Sequence, residues 1–213
     1  MAKQTSFQVF KKHWKNFWNF IWNDDSLLSW VANIILAFIL IKFVVYPLLS
    51  LILHTGFPIV AVISGSMTHD GSYNDWWASP AICTDIENEC SQKEFYSLFN
   101  ITKENFNSFN FKNGFNKGDI IFLYGDKDID IGEVIVFAVP GRSDPIIHRI
   151  IMTHEDEGIT YYTTKGDHNP AIITFEQYTH QDNVLGVAKF RIPYIGYVKI
   201  WFFQAVMFIK SVF

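Results

Sequence analysis

Hydrophobic and polar positions divide the chain into three textures. From Leu27 to Leu53 apolar residues run almost without a break, long enough to cross a bilayer core of roughly 30 Å. Before that run, residues 1–26 mix Lys3, Lys11, Lys12 and Lys15 with Phe7, Phe10 and Trp18, the pattern of an amphipathic helix suited to a membrane interface. From Gly118 the pattern becomes short β-branched runs cut by turns: "GDIIFLYG" (118–125), "IGEVIVFAVP" (131–140), "PIIHRIIMTH" (145–154), "GITYYTTKGD" (158–167) and "VLGVAKFRIP" (184–193). Runs of this length and spacing predict a mainly β domain, a barrel or sandwich, rather than βαβ units. "EDEG" (155–158) reads as the hairpin turn between two of the strands. Residues 68–117 show no clean period and read as an extended insertion with one short helix around Lys93–Leu98. The tail "PYIGYV" reads as the start of a strand. The apolar stretch 200–213 is short for a second crossing and equally fits an interfacial helix.

Lys42 and Asn33 interrupt the long apolar run, so magnitudes must decide whether it spans. A lysine at the centre of a span costs about 2.5–3.5 kcal/mol, and each Leu, Ile, Val or Phe returns roughly 0.3–0.6 kcal/mol. With so many of these residues between Leu27 and Leu53, insertion wins and Lys42 snorkels or faces a partner. A cleaved signal peptide would have a shorter apolar core that begins earlier. Lys11, Lys12 and Lys15 precede the span, and residues 54–73 contain no Lys or Arg. The N-terminus is therefore expected in the cytoplasm and residues 54–199 outside it. The single-chain character of the sequence suggests the cell membrane.

Composition adds limits. The residues are 49% hydrophobic and 17% aromatic, a balance that leans toward membrane attachment. A net charge of −4 with no basic face argues against nucleic acid as a partner. Cys83 and Cys90 form one local disulfide if the insertion lies in an oxidising compartment, and otherwise remain free thiols. Two thiols without a nearby histidine pattern fall short of a zinc site, and neither a metal nor a cofactor is expected.

The candidate chemistry starts at "AVISGSMTHD" (61–70), where Ser64 and Ser66 bracket a glycine just beyond the span. A serine is a poor nucleophile until a base within hydrogen-bond reach takes its proton. His148 is the best-placed base. Strand alternation in "PIIHRII" puts it on one face with Ile146 and Ile150, and Ile147, Arg149 and Ile151 on the other. An imidazole on an apolar face loses water and stays neutral, able to accept a proton. Asp167 in "TTKGDHNP" sits in a tight turn after a strand, from which a carboxylate can fix the histidine tautomer. Asp119 in "KGDII" reads as a structural turn acid.

"SGSM", "KGDIIF", "GEVIVF", "IIHRII", "TKGDHN" and "GVAKFRIPYIGYV" occur in the order found in type I signal peptidases. The chain resembles the archaeal and endoplasmic-reticulum branch, in which histidine replaces the lysine base. The resemblance covers roughly residues 57–67 and 117–199. It implies a signal-peptidase-like β catalytic domain in which Ser66 is the nucleophile, Ser64 and the Ser66 backbone N–H form the oxyanion hole, His148 is the base and Asp167 is a functional acid. It also implies removal of signal peptides from secretory preproteins at a lipid bilayer, with any further membrane subunits unspecified. The sequence departs from the family at two places. A further acid usual about six residues after the Gly-Asp pair is replaced by Ile173, so that Asp167 acts alone, Glu176 or Asp182 substitutes, or catalysis is weakened. The insertion 68–117 is also much longer than the corresponding segment of relatives. A catalytically silent, membrane-tethered scaffold is the competing reading.

Overall fold

The computed structural model describes residues 6–83 and 89–198, and Trp201, Gln204, Met207 and Phe208 of the tail. Most of the apolar stretch 200–213 lies outside the described residues. The chain forms two compact units, residues 1–51 and 52–213.

In the first unit, α1 (Ser6–Asn23) is amphipathic, with the rings of Phe10, Trp14, Trp18 and Trp22 in successive contact at four-residue intervals along one face. Ser26 caps the next helix through its hydroxyl. That rod consists of α2 (Leu27–Leu40), a π-helical segment (Ile41–Val45) and α3 (Tyr46–Ile52). Together they make one apolar helix, Leu27–Ile52, long enough to cross a membrane. Ser29 and Asn33 turn their polar groups to the backbone carbonyls of Phe20 and Ile21, which satisfies them inside the helical pair. Lys42 lies over the rings of Phe43 and Phe38.

The second unit begins with β1 (Ile59–Ala61) and then enters the insertion. There α4 (Tyr73–Trp77), β2 (Pro80–Ile82), β3 (Glu89–Ser91), α5 (Gln92–Ser97) and α6 (Lys103–Ser108) follow in order. Each short helix starts at a reciprocal cap, with Ser72, Ser91 or Thr102 bonded to the residue three positions on. Beyond the insertion come β4 (Ile120–Tyr124), β5 (Val134–Phe137), β6 (Ile146–Asp156), β7 (Ile159–Lys165), β8 (Thr179–His180) and β9 (Val184–Ile192). They form a curled antiparallel sheet in the order β1-β4-β9-β5-β6-β7-β8. All five predicted runs are strands of this sheet, and the fold is mainly β. Glu157 and Gly158 make the two-residue turn between β6 and β7, both at positive φ as a tight hairpin requires.

Two expectations are corrected. The insertion is a folded substructure rather than an extended segment with one helix. Trp76, Trp77, Phe95, Tyr96, Ile101 and Phe106 form its own core, to which β6 contributes Ile151 from a bulge between Ile150 and Met152. The low periodicity reflects helices of five or six residues, too short to repeat a pattern. The segment "PYIGYV" is not a strand, because β9 ends at Ile192 and Pro193 begins a run of turns bonded 193–195 and 194–197.

Candidate active site

The nucleophile candidate lies on a short loop between β1 and the insertion. Thr68 N–H donates to the Gly65 carbonyl at 3.0 Å, tightening the loop around Ser66. Phe115, at the far end of the insertion, donates its N–H to the Met67 carbonyl at 2.8 Å. From the other side, His168 N–H donates to the Ser66 carbonyl at 2.8 Å. Main-chain bonds thus hold the loop around Ser66 on both flanks.

His148 rises from β6, paired with Ile135 of β5, and is almost fully buried. Its Nε2 lies 2.9 Å from Ser66 Oγ, and its Nδ1 faces Glu176 Oε1 in direct hydrogen-bond contact. Glu176 comes from a 3-10 turn (Thr174–Glu176) and is completely buried. Its other oxygen, Oε2, accepts the N–H of Ile173 at 2.7 Å. A carboxylate at Nδ1 fixes the proton there and leaves Nε2 as an acceptor for the serine proton. Ser64 Oγ lies 3.2 Å from Ser66 Oγ. With Ser66 donating to His148, Ser64 donates to Ser66.

Asp167 does not reach His148. Arg149 donates to both of its oxygens, Nε to Oδ1 at 3.0 Å and Nη2 to Oδ2 at 2.8 Å. The Tyr96 hydroxyl donates to Oδ1 at 3.1 Å, and His69 Nε2 lies 3.0 Å from Oδ2. The expected Asp167–His148 contact is therefore corrected, and strand parity gives the reason. Arg149 pairs with Lys165, so their side chains share a face and Asp167, two residues on, follows them. His148 occupies the opposite face, where its neighbour is Gly166. A Cβ on Gly166 would stand 2.7 Å from both His148 Nε2 and the Ser66 carbonyl. Asp182, the other substitute considered, is exposed and faces His180 at 3.6 Å. Asp119 accepts backbone N–H groups from Asn116 and Tyr194, as a structural turn acid does.

The electrostatics match this division. Burial alone would raise the Asp167 carboxyl, but the Arg149 guanidinium and the bonds from His69 and Arg149 hold it well below the usual carboxylate range. Arg149 spends its remaining donors on the carbonyls of Asn110, Phe111 and Gly132 and lies over the Phe106 ring. Burial lowers Lys165 to about 7, despite the nearby charges of Asp167 and Glu176. Its ammonium donates to Gln92 Oε1 at 2.8 Å and to the Gly166 carbonyl at 3.1 Å. Cys83 and Cys90 are joined in a disulfide that closes the β2–β3 hairpin. Among the described residues no cluster of metal-binding side chains occurs.

Comparison with known proteins bears on this geometry. No family model matches the chain. The signal peptidase complex catalytic subunit SEC11 of Komagataella phaffii is 39% identical over 99 residues, covering 40% of this chain and 57% of the relative. The SEC11 of Lachancea thermotolerans is 35% identical over 96 residues, covering 41% and 57%. SEC11C of Canis lupus familiaris is 37% identical over 94 residues, covering 40% and 49%. The chain is a homologue of the signal peptidase catalytic subunits. It spans about half the length of the signal peptidase relatives it matches.

Of the residues expected to form the site, Ser64, Ser66 and His148 come together and Asp167 stands behind them. Asp167 is the acid expected from the sequence and Glu176 a substitute for it; the parity of β6 and β7 selects against Asp167. The polar partners of Asp167 in the insertion had no local sequence signal.

Proposed function

We propose that this chain is a membrane-anchored serine endopeptidase that removes signal peptides from secretory preproteins. The observation that carries the reading is the line of contacts from Ser66 Oγ through His148 to the buried Glu176. Ser66 attacks the scissile carbonyl while His148 Nε2 takes its proton, and the imidazolium then delivers that proton to the leaving amine. Glu176 holds the Nδ1 proton and stabilises the imidazolium. The Ser64 hydroxyl and the Ser66 backbone N–H are the assigned donors to the oxyanion. Water enters after the amine leaves and regenerates the serine through the same histidine.

The apolar helix Leu27–Ile52 anchors the enzyme, with the lysine-rich residues 1–26 in the cytoplasm and residues 54–199 on the side where translocated precursors emerge. The relatives' names speak of a complex, and further membrane subunits are accordingly proposed as partners. The scaffold reading rests on the missing acid at position 173 and on the insertion 68–117. Glu176 reaches back to the backbone of that residue and supplies a carboxylate, which favours the enzyme. The test is cleavage of a membrane-inserted precursor by the wild-type protein and by Ser66→Ala. Processing by the wild type and none by the variant is the expected result, and equal processing by both would refute it.

A further inference from the structure

We infer that the insertion 68–117 is a positioning element of the active site, gripping the Gly166–His168 turn so that this turn sets Ser66 against His148. The inference rests on the peptidase reading for its kinetic consequence, but its structural part stands alone.

The turn has two sides. On one, Gly166 packs against His148 Nε2, and the His168 amide donates to the Ser66 carbonyl. On the other, the insertion supplies a set of polar partners. His69 and Tyr96 bond the Asp167 carboxylate, and Trp76 Nε1–H donates to the Asp167 carbonyl at 2.9 Å. Gln92 accepts from Lys165 Nζ and donates to the Asn169 carbonyl at 3.2 Å. Residues 165, 167 and 169 are thus each bonded by an insertion side chain.

A segment that merely covered the sheet would bury apolar area and leave its polar groups in water. Here Trp76, Tyr96, Gln92 and Asp167 are almost wholly buried, where each polar group must find a partner. Bonds to an ionised carboxylate are shorter and stronger than neutral ones, and they fix direction as well as distance. His69 is itself immobilised, stacked on Trp76 with ring centroids 3.7 Å apart and planes 5° from parallel. Its Nδ1 has no hydrogen-bond partner, and its Nε2 faces the Asp167 carboxylate. Neither His69 nor Tyr96 is hydrogen-bonded to Ser66 or His148; their bonds go to Asp167. They are positioning residues that act through the turn.

The experiment compares wild type, Tyr96→Phe, His69→Ala and His69→Gln in full-length protein, with precursor cleavage and amide hydrogen exchange measured together. Tyr96→Phe keeps the ring in the aromatic core and removes only the donor. His69→Gln returns an amide N–H near the Nε2 position. Misplacement of reacting groups by about an ångström can cost 10²-fold, so Tyr96→Phe and His69→Ala should each lower kcat by about 10- to 100-fold. KM should stay within about twofold, because substrate binding is not what the turn controls. His69→Gln should recover most of the loss, and exchange at the His168 amide should quicken in the two impaired variants. Unchanged kcat in both, beside an active wild type, would overturn the inference and leave the peptidase reading intact. If the wild type itself fails to cleave, that reading falls, and the exchange data decide the inference: faster His168 exchange in Tyr96→Phe supports the grip, and unchanged exchange refutes it.

Discussion

Arg149 pairs directly with Lys165 across the β6–β7 ladder, and both side chains leave the sheet on the face opposite His148. The two buried cations are treated differently by their surroundings. Arg149 is neutralised by Asp167, whereas Lys165 meets mainly carbonyl oxygens and aromatic rings. The face with Arg149 and Lys165 therefore braces the structure, and the other face holds the Ser66–His148–Glu176 contacts. Separate consequences follow for each.

On the reactive face, His148→Ala should reduce kcat by at least about two orders of magnitude, as expected when a general base is lost. KM should change far less. His168→Ala serves as a control, since its ring is half exposed and faces Asp70. A steady-state comparison in which His168→Ala proves as damaging would remove His148 from its assigned role.

Glu176→Gln and Asp167→Asn should separate cleanly. The glutamine cannot hold the Nδ1 proton as a carboxylate does, and the wrong imidazole tautomer costs on the order of 10⁴ in kcat in serine triads. Its fold should persist, since the buried amide can still accept from Ile173. Asp167→Asn instead leaves Arg149 buried without its counter-charge, a loss of about 3–5 kcal/mol in stability. Kinetics and denaturant melts on both variants decide the matter, and the assignment fails if Asp167→Asn alone abolishes cleavage while remaining fully stable.

Acid should act through Asp167. Its folded carboxyl titrates below the unfolded one, so its stabilising contribution is complete above the ordinary carboxylate range and declines as pH falls toward the folded value. Asp167→Asn removes that dependence. Between about pH 5 and pH 2, wild type should lose stability more steeply than the variant, measured by urea midpoints.

Lys165 gives a slope of the same sign in a higher pH range. Its ammonium titrates near 7 when folded and near 10.4 when unfolded. Between those values the unfolded chain holds the extra proton, so stability should rise with pH. From pH 7 to 9, wild type should gain roughly 2 kcal/mol relative to Lys165→Met, on about 1.4 kcal/mol per unit of pH. A flat difference between the two proteins would mean that the lysine is not dehydrated.

Topology has its own test. Cys83 and Cys90 are tied together, so a cysteine introduced elsewhere reports alone. One placed within residues 3–15 should resist an impermeant thiol reagent in sealed, right-side-out membranes, and one within 125–130 should react. The reverse pattern would exclude cleavage of emerging precursors.

Much of this was legible in the residues. The apolar helix and the five strands announced themselves through period and length, and Ser66 and His148 through their surroundings. The acid was less legible: Asp167 follows a strand next to the one carrying His148, but a one-residue difference in parity moves its side chain to the other face. Glu176 is placed by the local 3-10 turn that bonds it to Ile173, a feature with a weak pattern. The organisation of the insertion was hidden for a different reason. Its core is aromatic and its helices very short, so the information resides in contacts between distant residues such as Tyr96 and Asp167.

Those contacts also set an order of events. Ser66 and His148 lie 82 residues apart, Trp76 and Asp167 91. No part of the reactive line can be assembled from neighbours along the chain, and contacts of such separation form late and slowly. When the chain is made from its N-terminus, the serine and the insertion emerge first and wait for β6, β7 and the turn carrying Glu176. On the peptidase reading, then, an unfinished chain carries its Ser66 nucleophile without the His148 base that would arm it.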